Sequence, residues 1–365
     1  MNAINSQDLA APPSWRDPRA LKVLGMGTAL PGPPVSTAVL LDRVEKRFGV
    51  SISRQGRALA RLLKIATRHF CRDFAICHEV PRPGHSNPDL AASALRAALE
   101  QAQLRIDDLA YLIGHTTTPA CLVPPNIALV ADRLGFRGPY LELRQACTGF
   151  ASALVIAQGL ASAPGAKPIA IIGSETGSVY FDPGRAGDNV GQLVNLVQMG
   201  DGAAAIIVAP DDSGPGARLA NTFVGHIGLG HKPGFALAAG GSDAPFVEGG
   251  ILEFEHDYAA VQAAGPELFA QGAAVARSLG IAVETMDRVI PHQANGRMAE
   301  LLGPRLGIDP GRIFVNANHL ANTGSAAIWL ALAELRSTLE PGARVLALGA
   351  EATKYMFGGF SYVHG

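Results

Sequence analysis

The stretch LELRQACTGFASALVIAQGLASA, residues 141–163, places a cysteine between two apolar segments of different kinds. The residues before Cys147 are predicted to form a strand, and the Ala- and Leu-rich run after it is predicted to form a buried helix. Because cysteine packs well in a core, Cys147 is either a space-filling residue or a nucleophile held where a helix begins. At that position the helix dipole would favour the thiolate.

The composition of the 365-residue chain is that of a strongly buried α/β protein, with 48% hydrophobic and 17% charged residues. A formal net charge of −1 argues against a nucleic-acid partner, which needs excess Lys and Arg. No uninterrupted apolar run reaches about 20 residues, so we predict no membrane span. Residues 1–20 are predicted to be a loosely ordered extension without the pattern of a signal peptide.

The cysteines at positions 71, 77, 121 and 147 have no spacing typical of a disulfide framework, which favours reduced thiols and a cytoplasmic protein. His69, Cys71, Cys77 and His78 lie close together in the sequence. Their spacing fits no common zinc pattern, so we predict no metal site.

Apolar strand patterns alternate with helical patterns along the chain, which predicts parallel-rich sheets covered by helices on both faces. The rhythm repeats after a border near residues 210–220, so we predict two similar halves, 21–215 and 216–365, after the extension 1–20. The irregular, glycine-rich region 225–260 is typical of a binding or lid loop.

Three motifs place polar groups at the ends of apolar elements: QACTGF (145–150), PHQAN (291–295) and LANTGSAA (320–327). Taken singly, each has an ordinary structural explanation as a core thiol, a hydrogen-bonded imidazole or a helix cap. Together, a thiol, an imidazole and an amide that meet above a sheet suit acyl transfer. The cysteine would attack a thioester, and the other two groups would donate hydrogen bonds to an enolate or carbonyl oxygen.

From about residue 21 onward the sequence resembles the ketoacyl-ACP synthase III family of the thiolase superfamily. ACTGF is similar to the family's nucleophile motif, IPHQANGR to its histidine motif, ANTGSAA to its asparagine motif, and MGDGAAAIIV (199–208) to its GDGAGA strand. The order Cys, His, Asn and the 30-residue step from His292 to Asn322 also fit. Chalcone-synthase-like enzymes share the triad, but their histidine is followed by Pro-Gly-Gly.

The resemblance implies a thiolase-like five-layered αβαβα fold of two duplicated halves, a homodimer, and CoA or phosphopantetheine thioesters as substrates with no other cofactor. Cys147 would take an acyl group from acyl-CoA or an acyl carrier protein, and its backbone N–H would form half of an oxyanion hole. His292 and Asn322 would support decarboxylation of a malonyl thioester. The resulting carbanion equivalent would give a β-ketoacyl product in fatty-acid or specialised polyketide biosynthesis.

The same resemblance implies roles in binding. The carrier protein would dock on the segment formed by Gln293, Ala294, Asn295, Gly296 and Arg297, where Arg297 would meet a phosphate or an acidic helix. As an alternative, Arg297 is an ordinary solvated residue. Arg68, in KIATRHF (64–70), would lie near the CoA entrance or be structural; the family's glycine in that motif is Lys64 here.

The sequence departs from the family at its C-terminal glycine run. Without gaps, Thr353, Lys354 and Tyr355 fall on that run, and a small shift would use Gly358 and Gly359 instead. Glu351 and Lys354 would form an ion pair or alter the chemistry.

Two activities remain open on this sequence. The segment CLVPPN (121–126) offers no carboxylate, which disfavours a non-decarboxylative condensation that uses a base there. The alternative to condensation is an acyltransferase that passes the acyl group to a hydroxyl, an amine or a carrier, with His292 as general base.

Overall fold

The computed structural model describes residues 11–75, 83–237, 239–242 and 254–365. The helical elements longer than three residues and made of α-helix are α1 Thr37–Phe48, α2 Ser53–Leu63, α3 Asn87–Ala102, α4 Asn126–Leu134, α5 Gly149–Ala161, α6 Val190–Gln198, α7 Tyr258–Ser278, α8 Met298–Leu306, α9 Ala317–Leu320 and α10 Ala327–Arg336. The strands are β1 Ser14–Asp17, β2 Leu21–Ala29, β3 Val35–Ser36, β4 Thr67–Arg68, β5 Tyr111–His115, β6 Tyr140–Leu143, β7 Ile169–Glu175, β8 Gly202–Pro210, β9 Arg218–His226, β10 Phe235–Leu237, β11 Phe254–His256, β12 Arg288–Pro291, β13 Arg344–Glu351 and β14 Met356–Val363.

The main sheet is mixed and runs in the order β12-β13-β14-β9-β2-β8-β7-β5-β6. Its two ends have the same pattern: β7, β5 and β6 are parallel neighbours, as are β13 and β12. Next to β12, Ile313 forms a parallel bridge with Val289, in the place that corresponds to β6 at the other end. The two halves of the sheet therefore follow one strand order, and β9 contacts β2 where they join.

Helices α5 and α10 are buried between the two ends of the sheet. Helix α5 packs on β7 and β5 of the first half and on β9 and β14 of the second, and α10 contacts both β8 and β12. Helix α3 covers the outer face of β2 and β8, and α7 covers that of β13 and β14. Each half of the main sheet forms one layer, with α5 and α10 between them. The layers therefore alternate as helix, sheet, helix, sheet, helix, which is the predicted αβαβα architecture.

An aromatic cluster fills the middle layer and joins both halves. Phe150 of α5 contacts the rings of Trp329 and Phe360 edge-on, and the latter two rings are stacked with centroids 5.5 Å apart. The fully buried Trp329 donates its Nε1–H to Nε2 of His115, at 3.1 Å. Burial lowers the pKa of His115 to about 3, so the ring is neutral and can accept this bond.

The N-terminal extension is more ordered than the sequence predicts. Residues Ser14–Asp17 form strand β1, which pairs antiparallel with β9 from Ser14 opposite Gly225 to Asp17 opposite Thr222. The expectation of a loosely ordered segment is therefore wrong for this part. Backbone pairing, which composition does not reveal, holds the strand in place.

Gly27 in β2 provides a test of the close contact between the sheet and α3. A Cβ there would lie 2.2 Å from the Ala94 carbonyl oxygen, so we expect Gly27→Ala to lower the free energy of unfolding by about 1–3 kcal/mol in urea titrations. The matched control is Gly159→Ala on the exposed side of α5, where no described atom lies within 4 Å and a small stabilisation is expected. Equal losses for the two variants would contradict the close packing.

Candidate active site

Cys147 lies in the turn between β6 and α5, and its neighbour Gly149 explains why the turn is so tight. A Cβ on Gly149 would be 2.7 Å from Nδ1 of His115, so only glycine lets the start of α5 approach the end of β5. The turn brings the half-buried Cys147 to the wall of a cavity of about 400 Å³. The predicted nucleophile thus has access to a space large enough for a small ligand.

His292 follows β12 directly and also lines this cavity. Its backbone N–H donates to the Leu348 carbonyl, which fixes it beside β13. Burial lowers the pKa of His292 to about 4, and its Nδ1 is buried without a hydrogen-bond partner among the described residues. At neutral pH the side chain is therefore a neutral imidazole able to accept or donate a proton.

Asn322 reaches the same cavity from the loop before α10. Its backbone is held on both sides, since its N–H donates to Gln198 and its carbonyl accepts from Gly200. The side-chain Oδ1 accepts the N–H of Gly324 at 3.0 Å. Gly324 has a φ of +50°, and a Cβ there would lie 2.6 Å from the Glu175 carboxylate. Backbone conformation and close packing both require this glycine of the asparagine motif.

Two buried carboxylates flank the three predicted residues, and one of them was not singled out from the sequence. Glu175, the last residue of β7, accepts hydrogen bonds from Thr117, Thr118 and Ser325 and so ties the asparagine loop to the first half. It ends an apolar strand just as His115 does. A polar residue at the end of an apolar strand is the sequence feature that identifies Glu175 as a candidate site residue.

Glu351 is the second carboxylate, at the end of β13. It accepts the N–H and the hydroxyl of Thr148, and the hydroxyl of Thr353. Lys354 instead donates its Nζ to the His231 carbonyl. The described residues therefore contain no Glu351–Lys354 ion pair, and an effect of these residues on the chemistry stays a prediction.

The electrostatic surroundings of Cys147 differ from the expectation. Burial is the largest cause of a raised thiol pKa, and the negative charges of Glu351 and Glu175 add to it; the residue's own backbone N–H acts in the opposite direction. The helix dipole is therefore not the dominant effect on the pKa of Cys147, and the prediction that it favours the thiolate is wrong. Two carboxylates distant in sequence oppose the dipole, and no motif around residue 147 reveals them.

The C-terminal turn borders the cavity through Ala352, Thr353 and Tyr355. Gly358 and Gly359 lie within β14, paired with Gly349 and Leu348 of β13. Of the two alignments with the family's glycine run, the ungapped one falls on a turn that contacts the cavity.

The predicted binding residues separate into two groups. Ala294 and Asn295 line the cavity, and Arg297 is partly exposed and faces Glu300 across 3.6 Å. Gln293 is fully buried and bonds to the backbone of Pro291, Phe314 and Asn316, which is a structural arrangement. For Gly296, a Cβ would lie 2.2 Å from the Lys64 carbonyl, so the residue permits close packing on α2.

Arg68 is fully buried and does not line the cavity wall. Its guanidinium donates to the Val197 carbonyl at 2.7 Å and to the Thr37 hydroxyl at 2.9 Å, and burial lowers its pKa to about 10. This geometry fits the structural alternative and gives no support to a role at the CoA entrance.

Neither a metal site nor a membrane span is found in the described residues. His69 contacts the Gly32 carbonyl and Cys71 contacts Ser178, while Cys77 and His78 lie outside the described residues. No group of three or more potential metal ligands occurs in the described part of the chain. Among the helices described, none is long and apolar enough to cross a membrane.

Comparison with known proteins identifies relatives along most of the chain. Residues 141–228 match the family model described as 3-oxoacyl-[acyl-carrier-protein (ACP)] synthase III, and residues 276–357 match the model of its C-terminal part. The chain is 34% identical over 282 residues to a beta-ketoacyl-[acyl-carrier-protein] synthase III of Nitratidesulfovibrio vulgaris, covering 73% of this chain and 81% of the relative. A synthase III of Rhodospirillum rubrum is 28% identical and covers 93% and 96%.

Solved structures of similar fold extend over almost the whole chain. AbyA1, a tetronic acid condensing enzyme, superposes with a TM-score of 0.81 at 28% identity, covering 94% of this chain and 99% of that one. The 3-oxoacyl-(acyl carrier protein) synthase III of Pseudomonas aeruginosa superposes with a TM-score of 0.77 at 23% identity, covering 95% and 98%. The predicted thiolase-like fold is confirmed, and the chain belongs to the beta-ketoacyl-[acyl-carrier-protein] synthase III family of ketosynthase-type acyltransferases.

Proposed function

We propose that Cys147 accepts an acyl group from acyl-CoA or an acyl carrier protein and that a malonyl thioester then condenses with it, releasing carbon dioxide and a β-ketoacyl product. The observation that carries the proposal is the meeting of Cys147, His292 and Asn322, from loops far apart in sequence, at one cavity. The relatives reported above are synthases or condensing enzymes. These matches favour condensation over acyl transfer to a hydroxyl or an amine.

His292 and Asn322 are proposed to stabilise the enolate formed when the malonyl thioester loses its carboxylate. A neutral imidazole and a side-chain amide are both hydrogen-bond donors, and in a buried cavity such bonds are stronger than in water. The low pKa of His292 keeps the ring neutral at neutral pH, which suits this role. For the acyl oxygen, we propose the N–H of Cys147 together with an N–H of the turn that follows Glu351.

The wall of the cavity indicates the kind of acyl donor. Apart from the polar groups around Cys147, much of the described wall is apolar or aromatic and comes from the β10–β11 pair, α7 and α8. We propose that it holds the pantetheine arm and an apolar acyl chain, with no cofactor besides these thioesters. The apolar wall residues are Phe235, Phe254, Val261, Leu268, Phe269, Met298 and Leu302.

The carrier protein is proposed to dock beside Arg297, the charged and partly exposed member of the predicted segment. Because a guanidinium binds phosphate in a bidentate manner, it suits the phosphopantetheine phosphate or an acidic helix. Fatty-acid initiation and a specialised polyketide pathway both fit this chemistry. The similarity to a tetronic acid condensing enzyme and the atypical turn after Glu351 favour the specialised pathway.

A homodimer is proposed from the edge of the sheet at β6. This strand pairs with β5 on one side and ends the described sheet on the other. Nearby, Leu122 and Val123 are 59% and 85% exposed, and Tyr140 is 42% exposed. An unpaired edge with apolar neighbours is suited to pairing with a second copy.

Two further expectations stay predictions. The division into an extension 1–20 and halves 21–215 and 216–365 is supported by the repeated strand order, in which each half has the same sequence of neighbours. A cytoplasmic location is supported by the unpaired state of the described cysteines Cys71, Cys121 and Cys147.

Acyl loading can be followed by intact-protein mass spectrometry with a panel of acyl-CoA and acyl-carrier donors. We expect a covalent adduct in the wild type that is absent in Cys147→Ala, and its discharge with carbon dioxide when malonyl donor is added. His292→Ala should load more slowly, because it lacks the proposed proton acceptor, and the adduct that forms should discharge at least about a hundredfold more slowly. Cys121→Ser, which alters an exposed thiol, is the control. An adduct that malonyl donor leaves untouched would contradict condensation.

Carrier docking can be tested by steady-state kinetics of Arg297→Ala with carrier-bound and CoA-bound donors. We expect KM for the carrier-bound donor to rise on the order of fivefold, because the lost charge weakens association, with a smaller effect on the CoA donor. Arg312→Ala, at an exposed arginine outside the cavity wall, should change neither value. Unchanged kinetics in Arg297→Ala would remove this residue from the docking surface.

The dimer can be tested by light scattering of Val123→Asp. We expect the mass to fall from two chains to one, because a carboxylate would be buried without a partner at the proposed interface. Leu229→Asp is the control, since Leu229 is 89% exposed on another part of the surface. A monomeric wild type would refute the proposed dimer directly.

A further inference from the structure

Glu351 holds the peptide that follows the proposed nucleophile. One carboxylate oxygen accepts the Thr148 N–H at 3.0 Å and the Thr148 hydroxyl at 2.6 Å. The other oxygen accepts the hydroxyl of Thr353, so both ends of the carboxylate are fixed. Thr148 is the N-cap residue of α5, yet its hydroxyl makes no capping bond within the helix. The first turn of α5 is therefore capped by a side chain 203 residues away in sequence.

This position gives Glu351 an electrostatic effect as well. A carboxylate at the N-terminus of a helix is favourable and neutralises part of the positive end of the dipole, which would otherwise act on Cys147. Within the described residues no ion pair joins Glu351 to a cation. Two acidic side chains line the described cavity wall, Glu175 and Glu351. The other titratable wall groups besides Cys147 are His256, Tyr258, His292, Arg305 and Tyr355.

We propose that Glu351 is a positioning residue that fixes the Cys147–Thr148 turn and whose negative charge opposes the effect of the α5 dipole on the Cys147 thiol. The inference rests on the proposed role of Cys147. It adds that the resting enzyme carries a neutral thiol, in contrast to the thiolate that a cysteine before a helix would otherwise form.

A protonated thiol requires that its proton move during acylation. The new bond joins Cys147 Sγ to the acyl carbon, and the bond between that carbon and the donor sulfur breaks. The proton leaves Cys147 for the neutral His292 and passes to the departing thiolate, so that free thiol is released and the charge is balanced. No further reactant is needed.

The experiment measures the rate of iodoacetamide alkylation of Cys147 against pH, read from the peptide that contains Cys147. No substrate is used, so a failure here is distinct from a failure of acyl loading. In the wild type we expect Cys147 to react only at higher pH than the exposed Cys121 of the same chain. In Glu351→Gln the profile should move to lower pH, with alkylation at neutral pH faster on the order of tenfold.

The matched control is Glu142→Gln. Glu142 also places a carboxylate oxygen at a helix N-terminus, 2.8 Å from the Ile127 N–H of α4, but it does not line the cavity. The Cys147 profile should be unchanged in this variant. A profile that moves equally in both variants would show that the effect is not specific to Glu351 and would contradict the proposal.

Two other results would also overturn the proposal. One is a wild-type Cys147 that alkylates at lower pH than Cys121, which needs no variant and holds even if Glu351→Gln does not fold. The other is an identical Cys147 profile in wild type and folded Glu351→Gln, with folding checked by thermal unfolding.

Discussion

The burial of α5 and α10 between the two ends of one sheet is the constraint on which the site depends. The N-terminal ends of these helices carry the Cys147 and Asn322 loops, so their packing fixes both at once. The ring cluster of Phe150, Trp329 and Phe360 sets the spacing between the helices and the sheet. Small residues then let the loops approach one another. The geometry of the site is thus a property of the core rather than of the surface.

The same packing brings two buried carboxylates close to Cys147. A buried carboxylate is costly unless it is bonded, and both Glu175 and Glu351 accept several hydrogen bonds from neighbouring hydroxyls and N–H groups. They join loops from opposite halves to the site. Burial and the two carboxylates favour the neutral form of the Cys147 thiol, and burial favours the neutral form of the His292 imidazole. Under the proposal made above, the thiol proton is transferred during acylation, and Cys147 and His292 form no ion pair beforehand.

Much of this was accessible from the sequence, for a physical reason. Cys147 and His292 follow predicted apolar strands, whose ends parallel pairing brings to one edge of a sheet, and Asn322 precedes a predicted buried helix. Glu351 was noticed but its partner, Thr148, was not, because their contact spans both halves of the chain. The motif KIATRHF identifies Arg68 in the sequence, but it does not reveal that the Arg68 side chain is buried. The order of strand β1 depends on pairing with β9, which a local pattern does not encode.

The contact of β9 with β2 has a consequence for engineering by recombination. Since hydrogen bonds, the middle helices and both glutamates link the halves, a chimera that takes each half from a different relative inherits mismatched surfaces along the whole seam. Single crossovers near residue 215 should therefore yield few active progeny. Exchange of the β10–β11 pair, which contributes Phe235, Phe254 and His256 to the cavity wall, offers a safer route to altered substrate range.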